Sequence, residues 1–305
     1  MKTGLLLIDK PQEWTSYDII RFLKPKFKPG KIGHAGTLDP LATGLLPVAV
    51  GNSTKLIPFI HLLNKEYVAE ARLGITSDTY DITGRVEQVP EILIPRQDEV
   101  EACLRGFLGE TMQVPPLYSA LKINGRPAYR YARGGQNIEL APRPIRIDRI
   151  DLLEYTYPRV YVRIRCSSGT YIRSLIHDMG RSLHSGAVMT SLIRTAIGPF
   201  QLEQSISPTR QLTPDQWRER LIPPRQIIGF LPELVLRDDF PLENGLPIQP
   251  VDILHLPDHS DPPYAIVLKK KSSTTILAIV KAEKIDYIDV LQWKYCCIIN
   301  YDSET

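Results

Sequence analysis

The chain has few cysteines and no long apolar run, and both absences narrow what it can be. Its four cysteines show no CxxC spacing and no histidine at metal-ligand spacing, so neither a disulfide scaffold nor a zinc site is indicated. We interpret them as reduced thiols of a cytoplasmic protein and expect no bound metal. No stretch approaches the roughly 18 apolar residues of a membrane span, and the N-terminal apolar run is too short for a signal peptide.

The excess of one sign of charge is also small, because the net charge is only +3 over 305 residues. The total therefore indicates no particular partner, but its distribution does. Between residues 122 and 173, eleven Lys or Arg side chains stand against four acidic ones. A solvated basic face would explain this stretch, yet the interleaved tyrosines favour contact with RNA. No Rossmann or P-loop signature is present, and we expect no cofactor.

A glycine-rich stretch at residues 33–46 carries the strongest functional signal. Pro40 restricts Asp39 to extended conformations, which places this acid on a loop just before an apolar strand. An ordinary turn would also explain Asp-Pro, and His34 would then be a surface loop residue. Three glycines of this stretch allow a positive φ and a close approach of another backbone. They are Gly33, Gly36 and Gly44.

Periodicity predicts several helices and strands. Helices are expected over residues 16–23, 98–106 and 171–183, and strands over 65–73 and 160–166. Ser16 is the predicted N-cap of the first helix. Tyr67 falls on the buried face of its strand. Glycines and prolines predict a long basic excursion over about 122–146, with a short helix at 128–133.

Several blocks in one order resemble the TruB family of tRNA pseudouridine synthases over roughly residues 3 to 200. The main block is GHAGTLDPLATGLLPVAVG, starting at Gly33, and the others are LIDKP, KEY, YSALK and SGTYIR. The resemblance implies an α+β fold with a mixed, mainly antiparallel sheet in a catalytic domain over residues 1–225. The excursion would be an RNA-gripping thumb loop. Residues 226–305 read as a small β-rich module, for which the resemblance implies a PUA-like RNA-binding role.

The resemblance also implies roles for individual residues. Asp39 would be the nucleophile, Tyr67 would stack on an extruded uracil, and His34 would fill the space that the base leaves. Arg173 opposes the dipole at a predicted helix start, so a carboxylate is expected beside it, and the resemblance makes that carboxylate Asp39. Asp81, in a second acidic loop, ranks behind Asp39 as a structural or substrate-side residue. The remaining expected substrate contacts are Lys10, Lys122, Arg130, Tyr171 and Leu192.

The implied function is isomerisation of uridine to pseudouridine in the T-loop of tRNA, at position 55 in tRNA nomenclature. We expect a monomer with no obligatory protein partner, acting on the tRNA T-stem-loop. Two alternatives stay open at this point. One is a tRNA-binding or tRNA-folding module without chemistry, and the other is a guide-RNA-directed synthase that works with further subunits.

Overall fold

A computed structural model describes residues 3–28, 30–123, 125–134, 136, 138–209, 211–237, 247–249, 252–255, 264–269, 276–285 and 288–300. This part of the chain contains helices and strands in the alternation expected of an α+β protein. The helices are α1 (Ser16–Leu23), α2 (Ile57–Leu62), α3 (Gln97–Arg105), α4 (Ala128–Arg133), α5 (Ile172–Ser182), α6 (Pro214–Glu219) and α7 (Pro224–Ile227). Three 3-10 helices cover Lys24–Phe27, Gly51–Leu56 and Leu202–Gln204.

Thirteen strands precede residue 202. They are β1 (Gly4–Lys10), β2 (Ile32–His34), β3 (Thr43–Val50), β4 (Lys65–Leu73), β5 (Ile75–Ser77), β6 (Val86–Gln88), β7 (Gly109–Gln113), β8 (Lys122–Ile123), β9 (Arg126–Pro127), β10 (Arg143–Thr156), β11 (Arg159–Cys166), β12 (Ala187–Ile197) and β13 (Phe200–Gln201). Two pairs form small separate sheets, β5 with β6 and β8 with β9.

The other nine strands form one sheet. Its order is β1-β3-β12-β4-β11-β10-β7, with β2 on β3 and β13 on β12. Only the β3–β12 pair is parallel among these described strands. The predicted mixed, mainly antiparallel sheet is therefore confirmed.

Helix α5 packs on the centre of this sheet. This packing places the start of α5 over the glycine-rich stretch at residues 33–46. Its buried Leu175, Ile176 and Met179 join Val162 and Met189 in one apolar cluster. Burying each such side chain contributes about 1.5–3 kcal/mol. Arg173 lies in the first turn of α5, so this packing sets where its guanidinium can reach.

The predicted elements are present, with corrections at their ends. Helix α1 has the predicted bounds, but its N-cap is Thr15 rather than Ser16, because the Thr15 side chain accepts a hydrogen bond from the Asp18 backbone. Strand β4 buries Tyr67 as predicted. The basic excursion is shorter than predicted, since residues 143–146 pair with β7 as the first part of β10.

The described residues beyond 232 form a second sheet, which confirms the expected β-rich module. Its order is β15-β14-β16-β17-β18, from strands β14 (Glu233–Leu236), β15 (Ile253–His255), β16 (Tyr264–Lys269), β17 (Ile276–Ile285) and β18 (Ile288–Asn300). The two sheets share one apolar cluster, in which Ile279 and Ile299 meet Leu5 and Leu45. Ile227, Ile228 and Leu231 belong to the same cluster.

Candidate active site

Asp39 and Arg173 form an ion pair at a cleft in the large sheet. Asp39 lies on the loop between β2 and β3, and its Oδ2 is 2.9 Å from Nη2 of Arg173. The arginine side chain is 6% exposed and the aspartate side chain 40% exposed, so the cation is buried while the acid faces the cleft. The contact expected from the sequence is present. The catalytic roles of both residues stay predictions.

Arg173 also contacts three other groups. Its Nη1 lies 3.5 Å from Oδ2 of the buried Asp81 and donates to the Thr79 carbonyl, while Nη2 donates to the Tyr118 carbonyl. The guanidinium thus ties the two acidic loops and the segment before the basic excursion to the start of α5. Sequence reasoning ranked Asp81 behind Asp39, whereas the structure makes both acids partners of one arginine.

Two buried polar side chains hold the backbone on either side of Asp39. The Ser16 hydroxyl accepts a hydrogen bond from the Leu38 amide at 2.9 Å and lies 3.2 Å from the Leu38 carbonyl oxygen. The Lys10 ammonium lies 3.4 Å from the Pro40 carbonyl and also donates to the Trp14 carbonyl. Asp39 is therefore fixed between two anchored neighbours.

Lys10, which was expected to bind substrate, lies outside the cleft lining, and a contact with substrate stays a prediction. Lys10 ends the buried run of β1, has no exposed surface, and directs its ammonium to backbone carbonyls. Burial lowers the pKa of this ammonium to about 8, although nearby Asp39 acts in the opposite direction. The structure gives Lys10 the function of an internal anchor.

Burial in the cleft raises the pKa of the Asp39 carboxyl above its usual range. Arg173 favours the charged form and partly offsets this effect, whereas the nearby Asp81 opposes ionisation. Surrounding protein therefore limits the hydration of a carboxylate whose outer side is still accessible. Burial thus leaves this carboxyl poorly solvated while Arg173 favours its charged form, an arrangement that suits a nucleophile.

Tyr67 lines the cleft beside this pair and is hydrogen-bonded to Arg194. The two residues face each other across β4 and β12 in register. Burial raises the pKa of the Tyr67 hydroxyl, so the ring is neutral at physiological pH. Tyr67 is 9% exposed, which leaves an aromatic surface available at the cleft.

Arg194 is a site residue that sequence reasoning missed. It is 1% exposed and donates to the carbonyls of Leu45 and Gly36. No carboxylate pairs with it in the described ranges. Gly44 has a φ of +95°, and a Cβ there would lie 2.5 Å from the Arg194 carbonyl oxygen. The pattern of β12 offered a usable signal, because Arg194 shares the same alternating positions of the strand as the buried Leu192 and Ala196.

The cleft has a volume of about 360 Å³, within the range of small-molecule pockets. The expected site residues Asp39, Tyr67, Tyr171, Arg173 and Leu192 all line it. Tyr171 is held through its backbone, which exchanges two hydrogen bonds with the Gln113 side chain.

The other expected site residues lie outside this lining. His34 sits half-buried on β2, where burial lowers the pKa of its imidazole. Lys122 on β8 and Arg130 on α4 are exposed on the excursion. Of the three glycines expected to allow a positive φ, Gly36 and Gly44 adopt one, whereas Gly33 lies in β2 without it.

The part of the chain that the structure describes contains neither a metal-binding cluster nor a membrane-spanning helix. There, no group of three His, Cys, Asp or Glu side chains is arranged to hold a metal ion. Over the same residues, every helix is too short or too polar to span a bilayer.

Comparison with known proteins agrees with the resemblance. The family described as TruB family pseudouridylate synthase (N terminal domain) matches residues 24–172. A protein named tRNA pseudouridine synthase B from Clostridium tetani is 39% identical over 248 residues, covering 81% of this chain and 86% of the relative. One of the same name from Bacteroides fragilis is 42% identical over 212 residues, covering 68% and 91%.

Among solved structures, a Cbf5-Nop10-Gar1 complex includes a chain with a similar fold. The TM-score is 0.72 at 26% identity, covering 97% of this chain and 84% of that one. The H/ACA RNP bound to a substrate RNA containing 2'-deoxyuridine matches with a TM-score of 0.70 at 22% identity, covering 99% and 86%. On its identity to the bacterial relatives, the chain belongs to the TruB family of pseudouridylate synthases.

Proposed function

We propose that this enzyme converts uridine to pseudouridine in tRNA, and that its target is the T-loop uridine at position 55. The observation that carries the proposal is the Asp39–Arg173 ion pair at a cleft lined by Tyr67. In this isomerisation the N1–C1′ bond breaks and a C5–C1′ bond forms. A proton leaves C5, and N1 gains one. No redox change or group donor is required.

Asp39 acts as the nucleophile in this proposal. A carboxylate that forms a covalent intermediate divides one difficult step into two easier ones. Arg173 keeps Asp39 charged and aimed at the cleft, and Asp81 holds Arg173 from its other nitrogen. Bound RNA excludes bulk water from the cleft and so prevents loss of the detached base.

Tyr67 receives the base that leaves the RNA stack. Extrusion costs about a few kcal/mol, and stacking on one aromatic ring returns about 1–3 kcal/mol. A second element is therefore needed, and we assign it to His34, which fills the vacated space in the RNA. Its half-buried place at the end of β2, within the glycine-rich stretch, supports a role in shape rather than proton transfer.

The basic excursion holds the RNA backbone. Lys122 and Arg130 are exposed there and free of the cleft, which suits contacts to phosphates that position the RNA. We further propose that residues 226–305 form a small RNA-binding module, with the catalytic domain over 1–225. We also propose that the enzyme is a monomer and that it acts in the cytoplasm, where tRNA substrates are found.

A guide-RNA-directed synthase is the main competing function. Its support is the fold shared with a chain of the Cbf5-Nop10-Gar1 complex. Identity to the bacterial relatives named tRNA pseudouridine synthase B is higher, at 39–42%. We therefore propose an enzyme that needs neither a guide RNA nor protein partners.

The test is tritium release from tRNA carrying [5-³H]uridine, followed by mapping of the modified position. Purified wild-type protein should act on a bare T-stem-loop, and the product should lie at position 55. Asp39→Asn should bind tRNA normally and lose turnover by about a thousandfold or more. Near-normal turnover by Asp39→Asn would contradict the nucleophile. Tight binding without wild-type turnover would support a non-catalytic module, and a requirement for added RNA would support the guided alternative.

A further inference from the structure

The hydroxyl of Ser119 is buried at the cleft and has no hydrogen-bond partner among the described residues. Ser119 is 4% exposed and lines the same cleft as Asp39 and Tyr67. All residues lining this cleft are described, and no other one has a buried side-chain polar atom without a partner. An unpaired buried hydroxyl destabilises a fold, so it calls for a physical explanation.

The backbone around Ser119 is firmly held. Nη2 of Arg173 donates to the carbonyl of the preceding Tyr118 at 2.9 Å. The Tyr129 amide of α4 donates to the carbonyl of Ser119 at 3.1 Å. Ser119 thus connects the Asp39–Arg173 pair to the base of the basic excursion. The backbone of Ser119 has hydrogen-bond partners, whereas its side-chain hydroxyl has none in the described part of the chain.

We propose that the Ser119 hydroxyl makes a hydrogen bond to the extruded nucleotide of the RNA substrate. This inference rests on the proposed function, because the nucleotide that would reach Ser119 is the uridine extruded into this cleft. The base offers two carbonyl oxygens and one N–H, and the ribose offers its 2′-hydroxyl. A serine hydroxyl can donate to the carbonyl oxygens, accept from the N–H, and do either with the 2′-hydroxyl. Substrate binding then satisfies a group that the free enzyme leaves unpaired.

This role predicts opposite effects of Ser119→Ala on activity and on stability. Single-turnover kcat/KM for tRNA should fall about tenfold, which corresponds to about 1.4 kcal/mol of lost transition-state binding. The unfolding temperature should stay unchanged or rise, because the free enzyme loses a buried hydroxyl but no hydrogen bond. A purely structural serine would give the reverse pattern.

Ser53→Ala is the matched control. Ser53 is also fully buried, lies outside the cleft, and accepts a hydrogen bond from the Thr3 hydroxyl. Its removal should lower the unfolding temperature and leave kcat/KM unchanged. The same side-chain change at two buried serines therefore separates a substrate contact from general packing.

The measurements are tritium release under single-turnover conditions and thermal unfolding of the full chain. Equal kcat/KM for wild type and Ser119→Ala would overturn the proposal, as would a fall in unfolding temperature like that of Ser53→Ala. If wild type itself shows no turnover on tRNA, the proposed function fails instead. RNA with 2′-deoxyuridine at the target identifies the partner: the Ser119→Ala effect disappears if the hydroxyl contacts the ribose and persists if it contacts the base.

Discussion

Asp81 contacts Nη1 of Arg173, while Asp39 contacts Nη2 of the same guanidinium. The side chains of Asp81 and Arg173 are both 6% exposed, so this second pair is more enclosed than the first. Asp81 is itself held by the hydroxyls of Thr79 and Thr83. The arginine that favours the charged form of Asp39 is therefore contacted at its other terminal nitrogen by a second acid.

Asp81→Asn should lower turnover although Asp81 does not line the cleft. The amide keeps the size of the side chain but loses the charge that orients Arg173, and we expect kcat to fall at least about tenfold. Tritium release and tRNA binding check this. An unchanged kcat, or a loss confined to tRNA affinity, would contradict a role in orienting Arg173.

Ser16→Ala should lower kcat without weakening tRNA binding. It removes the hydroxyl that holds the Leu38 backbone next to Asp39, and a small displacement of a nucleophile costs about 10–100-fold in rate. Thr15→Ala is the control, because it removes the N-cap of the same helix. It should cost about 1 kcal/mol of stability and leave kcat unchanged. Equal effects of the two variants on kcat would contradict a positioning role and leave Ser16 only a role in stability.

Lys10→Met and Lys122→Ala should separate an internal anchor from a phosphate contact. Loss of Lys10 should lower stability and kcat but leave the salt dependence of tRNA binding unchanged, because its ammonium serves backbone carbonyls. Loss of Lys122 should weaken binding and reduce the slope of log K against log salt by about 1. A reduced slope for Lys10→Met would restore it as a substrate contact.

The pH dependence of turnover should show a single acidic limb. Asp39 must be ionised to act, and burial raises the pKa of its carboxyl above the usual range for aspartate. Activity should therefore fall with decreasing pH at a value above that of a free aspartate side chain. Because the folded-state pKa is raised, ionisation of Asp39 opposes folding above that pKa. The stability advantage of Asp39→Asn should accordingly appear at neutral pH and vanish in acid.

Much of the local structure and the main chemical hypothesis could be predicted from the sequence. The alternation of β4 placed Tyr67 on a buried face, and Pro40 placed Asp39 on a loop, since both effects act over a few residues. The bounds of α1 were also predictable. Its N-cap was not, because Thr15 and Ser16 are both good caps and only one can adopt the extended cap conformation.

The direction of long polar side chains could not be predicted. Lys10 was expected to meet substrate, yet it turns inward to carbonyls of Trp14 and Pro40. Arg194 likewise directs its guanidinium to backbone carbonyls, those of Leu45 and Gly36. A motif identifies the residue type at a position, whereas burial of a charged end depends on which distant carbonyls lie within reach.

The sequence by itself determined the periodicity of the strands, the glycine loop with its acid, and the basic character of the excursion. Only the tertiary structure decided that one arginine serves two acids and that Arg194 reaches Gly36, 158 positions away along the chain. The reason is physical. Propensities and turns depend on neighbouring residues, but these contacts depend on strand register and helix packing, which join segments far apart in the chain.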